Sequence, residues 1–93
     1  TKIVDIYHTL EEYTKNITVY DPWANADKVE HEYGVQLTSS SLESLKGKFN
    51  AVILAVAHKE FVSLDIRSFL KNENGVVYDV KGILDREMID GRL

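Results

Sequence analysis

Apolar positions along this chain repeat with two different periods. Ile3, Val4, Tyr7 and Leu10 fall three and four residues apart, which puts them on one helical face and leaves Glu11, Glu12 and Lys15 to solvent. The chain therefore opens inside or just before a helix. Residues 17–20, Ile-Thr-Val-Tyr, are rich in β-formers and stop at Asp21-Pro22, predicting a strand and a turn. Ala26, Val29 and Tyr33 predict a short amphipathic helix closed by Gly34, and residues 35–37 a short strand. Ser40 followed by Glu43 fits a capping box for a helix carrying Leu42 and Leu45. Residues 52–56 form a continuous apolar run, the pattern of a strand covered on both faces. Phe61, Leu64, Ile66, Phe69 and Leu70 then predict helix, broken near residues 63–65 and ended by Asn74-Gly75. Residues 76–80 predict another strand leaving through Lys81-Gly82, and residues 85–89 a small tail helix.

Strands alternating with helices imply βαβ units in a layered α/β domain. Ninety-three residues suit one small domain, and the sequence has no repeat, linker or low-complexity tract. A chain of this pattern normally begins with a strand, so the first strand of the sheet is expected to be missing. Eleven Lys and Arg against fifteen Asp and Glu give a net charge of −4, which argues against general binding to nucleic acid or anionic membranes. No cysteine is present, so disulfides, thiolate nucleophiles and cysteine metal sites are excluded from these residues. That usage, with no signal pattern at the start, points to the cytoplasm. The longest apolar run, residues 51–57, is far shorter than the roughly 20 residues that cross a bilayer.

Open parallel sheets gather ligands outside the carboxyl ends of their strands. Three predicted strand ends are polar: Asp21, the run His58-Lys59-Glu60, and Lys81-Gly82. His58 has the chemistry to donate to a phosphate or carbonyl, to act as acid or base, or to cap the next helix, while the plain alternative is a structural histidine. Lys59 and Lys81 suit an anion as point charges, against solvated loop lysines as the alternative. Lys81 is the better placed, because Gly82 allows close approach of backbone. Asp21 has the position of a ribose-binding acid, but no G-x-G-x-x-G accompanies it and Asp-Pro is a good turn starter; the turn reading prevails. His8, His31 and His58 lack metal-ligand spacing, so no metal is expected. Ser39, Ser40 and Ser41 read as loop and cap residues, and no H-E-x-x-H, P-loop or G-x-S-x-G motif occurs.

The stretches TKIVDIYHTLEEY, VYDPWAN, HEYGVQL, AVILAVAHKEF and VVYDVKGIL, taken together and in this order, resemble the UDP-glucose/GDP-mannose dehydrogenase family, in particular its bacterial UDP-N-acetylhexosamine branch. The resemblance implies that residues 1–93 are one partial C-terminal UDP-binding domain, Rossmann-like and three-layered, with a mostly parallel sheet lacking its first strand. It implies a parent enzyme that uses NAD, held mainly by another domain, to oxidise the C6 alcohol of a UDP-sugar to a carboxylate for polysaccharide, capsule or O-antigen synthesis. The cysteine and lysine of that chemistry belong to other parts, so no catalytic residue and no tightly bound cofactor are expected here. The implied partners are the UDP-sugar, the remaining dehydrogenase domains and other copies in a homo-oligomer. Residue by residue, Lys81 with Gly82 matches the strand exit toward the substrate and cofactor cleft, and His58-Lys59 a polar exit beside it. Asp21-Pro22-Trp23 matches an architectural turn near the cleft. The competing reading is a stand-alone α/β interaction module without a nucleotide site; UDP-glucose as substrate is a variant of the first.

Overall fold

The computed structural model describes residues 2–92. The chain divides into two compact units, Thr1–Ser40 and Ser41–Leu93. In the first unit, α1 (Lys2–Glu11) is followed by α2 (Ala26–Tyr33). Helix α2 starts at Asn25, whose Oδ1 accepts from the Lys28 N–H at 3.0 Å, and ends at Gly34 in the left-handed region at φ 69. A residue without Cβ adopts that conformation at little cost, which is why the helix stops there. The two strands expected at residues 17–20 and 35–37 are not formed as strands. They are reduced to one parallel bridge between Val19 and Leu37, closed by the Thr38 N–H donating to the Val19 carbonyl at 2.8 Å. The Asp21 turn ends one segment and Gly34 precedes the other, so the ladder has no room to extend; β-propensity without successive partners does not make a strand.

The second unit opens with α3 (Leu42–Leu45). Its cap is Ser41 rather than the expected Ser40: Ser41 Oγ accepts from the Ser44 N–H at 3.3 Å. The helix begins one residue later than a Ser40–Glu43 box requires, and Glu43 pairs with Lys46 at 3.0 Å instead. Strands β1 (Ala51–Leu54), β2 (Val76–Asp79) and β3 (Gly91–Arg92) form a parallel sheet in the order β1-β2-β3. Parallel neighbours need a crossover between them. Here it is α4 (Lys59–Val62) and a 3-10 turn (Ile66–Phe69), with the break at residues 63–65 that the patterning predicts. Among the described residues, Leu54, Phe61, Ile66, Phe69, Leu70, Val77 and Leu84 are the buried apolar residues of this unit. The result is an α/β domain with a parallel sheet flanked by helices, consistent with a Rossmann-like fold.

Two expectations change in this unit. The apolar run gives a strand only as far as Leu54, and it is not covered on both faces, because Leu54 is buried while Ile53, pointing the other way, is 37% exposed. The tail helix at 85–89 shrinks to a 3-10 turn, Arg86–Met88, since Ile89 is extended (φ −123, ψ 157) to lead the chain into β3.

Strand β3 is held by a clasp formed largely from side chains. The Asp90 N–H donates to the Val77 carbonyl at 2.7 Å, and Asp90 Oδ2 accepts from the Val77 N–H at 2.8 Å. A carboxylate thus stands where a neighbouring strand would offer a carbonyl. Arg67 donates to the same oxygen at 2.9 Å and to the carbonyls of Met88 and Gly75, each at 3.3 Å. The Val77 N–H, and after it the Arg67 guanidinium, hold the Asp90 carboxyl below its ordinary value. A depressed carboxyl stabilises the fold fully above its unfolded value of about 3.9 and loses that contribution as pH falls through the lower folded value. Urea unfolding from about pH 5 down to about pH 2 is therefore expected to depend less steeply on pH in Asp90→Asn than in the wild type. Equal slopes would mean that the clasp carries no linked proton.

Candidate functional site at the carboxyl edge of the sheet

The register aligns Leu54 of β1 with Asp79 of β2, and Asp79 with Arg92 of β3. All three strands therefore present their carboxyl ends at one edge, where α/β sheets place ligands. From Leu54 the chain runs through Ala55 to Ala57 and reaches His58 and Lys59 at the start of α4. From Asp79 it runs through Val80, whose N–H donates to the Leu54 carbonyl at 2.9 Å, into Lys81 and Gly82. Both polar exits singled out from the sequence thus leave the same sheet edge in the second unit.

His58 occupies the N-cap position of α4 without a side-chain capping bond. Its half-buried ring lies 5.5 Å from the Phe61 ring at 59°, a tilted aromatic contact that orients the imidazole against the core. Lys59 is exposed on the first turn of α4, and Lys81 and Gly82 are exposed beyond β2. Asp21 lies in the first unit and forms an Asx turn: its Oδ1 accepts from the N–H groups of Trp23 at 3.0 Å and Ala24 at 3.2 Å. Pro22 and Trp23 are exposed in that turn.

Sequence reasoning passed over the residue that organises the edge. Asp79 has no exposed surface. Its Oδ1 accepts from the Gly82 N–H at 2.9 Å and its Oδ2 from the Leu84 N–H at 2.8 Å. Gly82 adopts φ 68, reversing the chain between these two bonds, and a Cβ there would meet nothing within 4 Å. The loop bearing Lys81 is therefore tied to one carboxylate at two points just after Lys81, Gly82 and Leu84. The signal was present in Val76-Val77-Tyr78-Asp79: strand alternation puts Asp79 on the same face as fully buried Val77, where an unpaired acid would be costly. Arg92, exposed and in register beside Asp79, was also overlooked, because a two-residue strand leaves no periodic trace.

Lys59, Lys81 and Arg92 give this edge cationic side chains in a chain of net charge −4. Such groups suit an anion, with lysine as a point charge and arginine as a fork. Nearby, Val62, Leu64, Ile83, Leu84, Asp85 and Met88 line a depression of about 170 Å³. That is below the roughly 300 Å³ at which ligand pockets begin, so by itself it does not house a nucleotide sugar. Among the described residues no three acidic or imidazole groups gather as a metal site requires. No described helix is long and apolar enough to cross a membrane.

Comparison with known proteins gives this edge its context. Residues 1–86 match the UDP-glucose/GDP-mannose dehydrogenase family, UDP binding domain. The chain belongs to that family. It is 41% identical over 96 residues to UDP-N-acetyl-D-glucosamine 6-dehydrogenase of Pseudomonas aeruginosa and 36% identical over 96 residues to the enzyme of the same name from Salmonella typhi. Each alignment covers 100% of this chain and 22% of the relative. Protein CapL of Staphylococcus aureus is 30% identical over 92 residues, covering 97% of this chain and 21% of that protein. The chain thus spans about a fifth of the length of the curated relatives it matches. No solved structure matches it.

Within this domain Asp79 fixes the loop that follows β2. Asp79→Ala leaves the Gly82 and Leu84 N–H groups without their acceptor and is expected to destabilise the protein by on the order of 3 kcal/mol in urea unfolding. A loss below about 0.5 kcal/mol, the level of an ordinary surface substitution, would show that water replaces the carboxylate freely.

Proposed function

We propose that this chain is the nucleotide-sugar-binding part of an NAD-dependent UDP-N-acetylhexosamine 6-dehydrogenase, which oxidises the sugar C6 alcohol to a carboxylate for polysaccharide synthesis. The observation that carries the reading is 41% identity, over the whole chain, to a protein named UDP-N-acetyl-D-glucosamine 6-dehydrogenase. The cationic carboxyl edge supports it, because the constant feature of every UDP-sugar is its diphosphate. Lys81, on the loop tied to Asp79, is the proposed diphosphate contact; Lys59 and His58 are proposed to border the same cleft. Closure over the ligand excludes water and strengthens each charged contact. Asp21, Pro22 and Trp23 are assigned an architectural role.

NAD, the hydride acceptor when bound, is assigned to the rest of the protein. The residues here do not fit it: the one acid positioned as a ribose ligand, Asp21, spends Oδ1 on its own turn, and no G-x-G-x-x-G is present. With no cysteine in the sequence, covalent chemistry at C6 also falls to residues outside these 93. On this reading the whole protein is a cytoplasmic homo-oligomer, and this chain contributes binding and orientation.

Calorimetric titration of the intact protein with UDP tests the reading. Saturable binding is expected, weakened about tenfold in Lys81→Ala, the size of one lost charge-assisted contact. Unaltered affinity in Lys81→Ala would sink the assignment, and no binding by the wild type would favour an interaction module instead.

A further inference from the structure

We infer that Asp79 is a positioning residue for the substrate anion, acting through the loop that carries Lys81; this rests on the proposed diphosphate role of Lys81. A fully buried carboxylate at the end of an apolar strand is an expensive way to fill space, since an apolar side chain would pack without desolvating a charge. What the carboxylate adds is direction. Its two oxygens fix two N–H groups of the exit loop, Gly82 and Leu84, and so determine where the backbone of Lys81 stands. Lysine is a flexible side chain with a compact charge at its tip, and its contribution to binding depends on how little freedom remains to be lost.

The charge of Asp79 works against its proposed role, and that makes the inference sharp. A negative group at an anion-binding edge repels the ligand by Coulomb's law. If electrostatics alone mattered, neutralising Asp79 would tighten binding of a diphosphate. If Asp79 acts by positioning Lys81, neutralising it weakens binding, because an amide has only one oxygen for two N–H donors. The two accounts predict opposite signs from an isosteric change.

The experiment is a double-mutant cycle in the intact protein, reading KM for the UDP-sugar, kcat and the thermal midpoint of wild type, Asp79→Asn, Lys81→Ala and the double variant. KM is expected to rise about tenfold in each single variant, with kcat nearly unchanged, and no further in the double variant, because both changes remove one contact. Unchanged KM in Lys81→Ala overturns the reading of the site and the positioning role with it. Raised KM in Lys81→Ala with unchanged or lowered KM in Asp79→Asn overturns the positioning role alone. So does a double variant in which the two effects multiply. Should Asp79→Asn fail to fold, Gly82→Ala answers in its place. Its added Cβ has nothing within 4 Å to strike, so it disturbs only the left-handed turn of the same loop. A rise in KM at temperatures well below its melting point is the expected result, and wild-type KM overturns the inference.

Discussion

The end of the middle strand is governed by a carboxylate that water cannot reach. Asp79 is joined through the sheet register to Leu54 on one side and Arg92 on the other, and its oxygens take the N–H groups of the chain that follows. A buried charge persists only when its lone pairs are occupied, so the loop must fold back over the strand end for the core to close. Core packing and the shape of the carboxyl edge are therefore set by the same two hydrogen bonds. The Leu84 side chain, buried just beyond the second bond, links the loop to the apolar interior.

How much of this could be read in advance depends on the kind of signal. The elements of the second unit with several residues of consistent pattern, β1, the broken crossover and β2, were legible because burial imposes a period on the sequence. The 17–20 stretch misled for the converse reason: Ile, Thr, Val and Tyr favour a pleated surface, but the parallel bridge between Val19 and Leu37 is not continued into a ladder. Strand β3 was illegible, since Gly91 and Arg92 have no β-signature and are recruited by the neighbouring Asp90. At the candidate site, the exits at His58-Lys59 and Lys81-Gly82 followed from strand ends and topology. Asp79 did not, because an acid closing a strand looks the same whether it faces water or two amides. One-residue offsets, such as Ser41 for Ser40, lie below the resolution of composition when three serines stand in a row.

Kinship to the dehydrogenases and the geometry of the edge bear on different questions. Family membership rests on a match over residues 1–86 to the family's UDP binding domain. Geometry says which loop of this chain is fixed at the carboxyl edge, the one after β2 that Asp79 holds. The sequence contains no cysteine, and Lys59 and Lys81 are exposed at the sheet edge.

The clasp around Asp90 also imposes an order on assembly. Its bonds reach back 13 residues to Val77 and 23 residues to Arg67. A chain emerging from the ribosome in sequence order can pair β1 with β2 while the outer side of Val77 still lacks both of its partners. The middle strand is thus the first part of the sheet to find a neighbour and the last to be saturated, and during that interval it is a free template for any other extended segment.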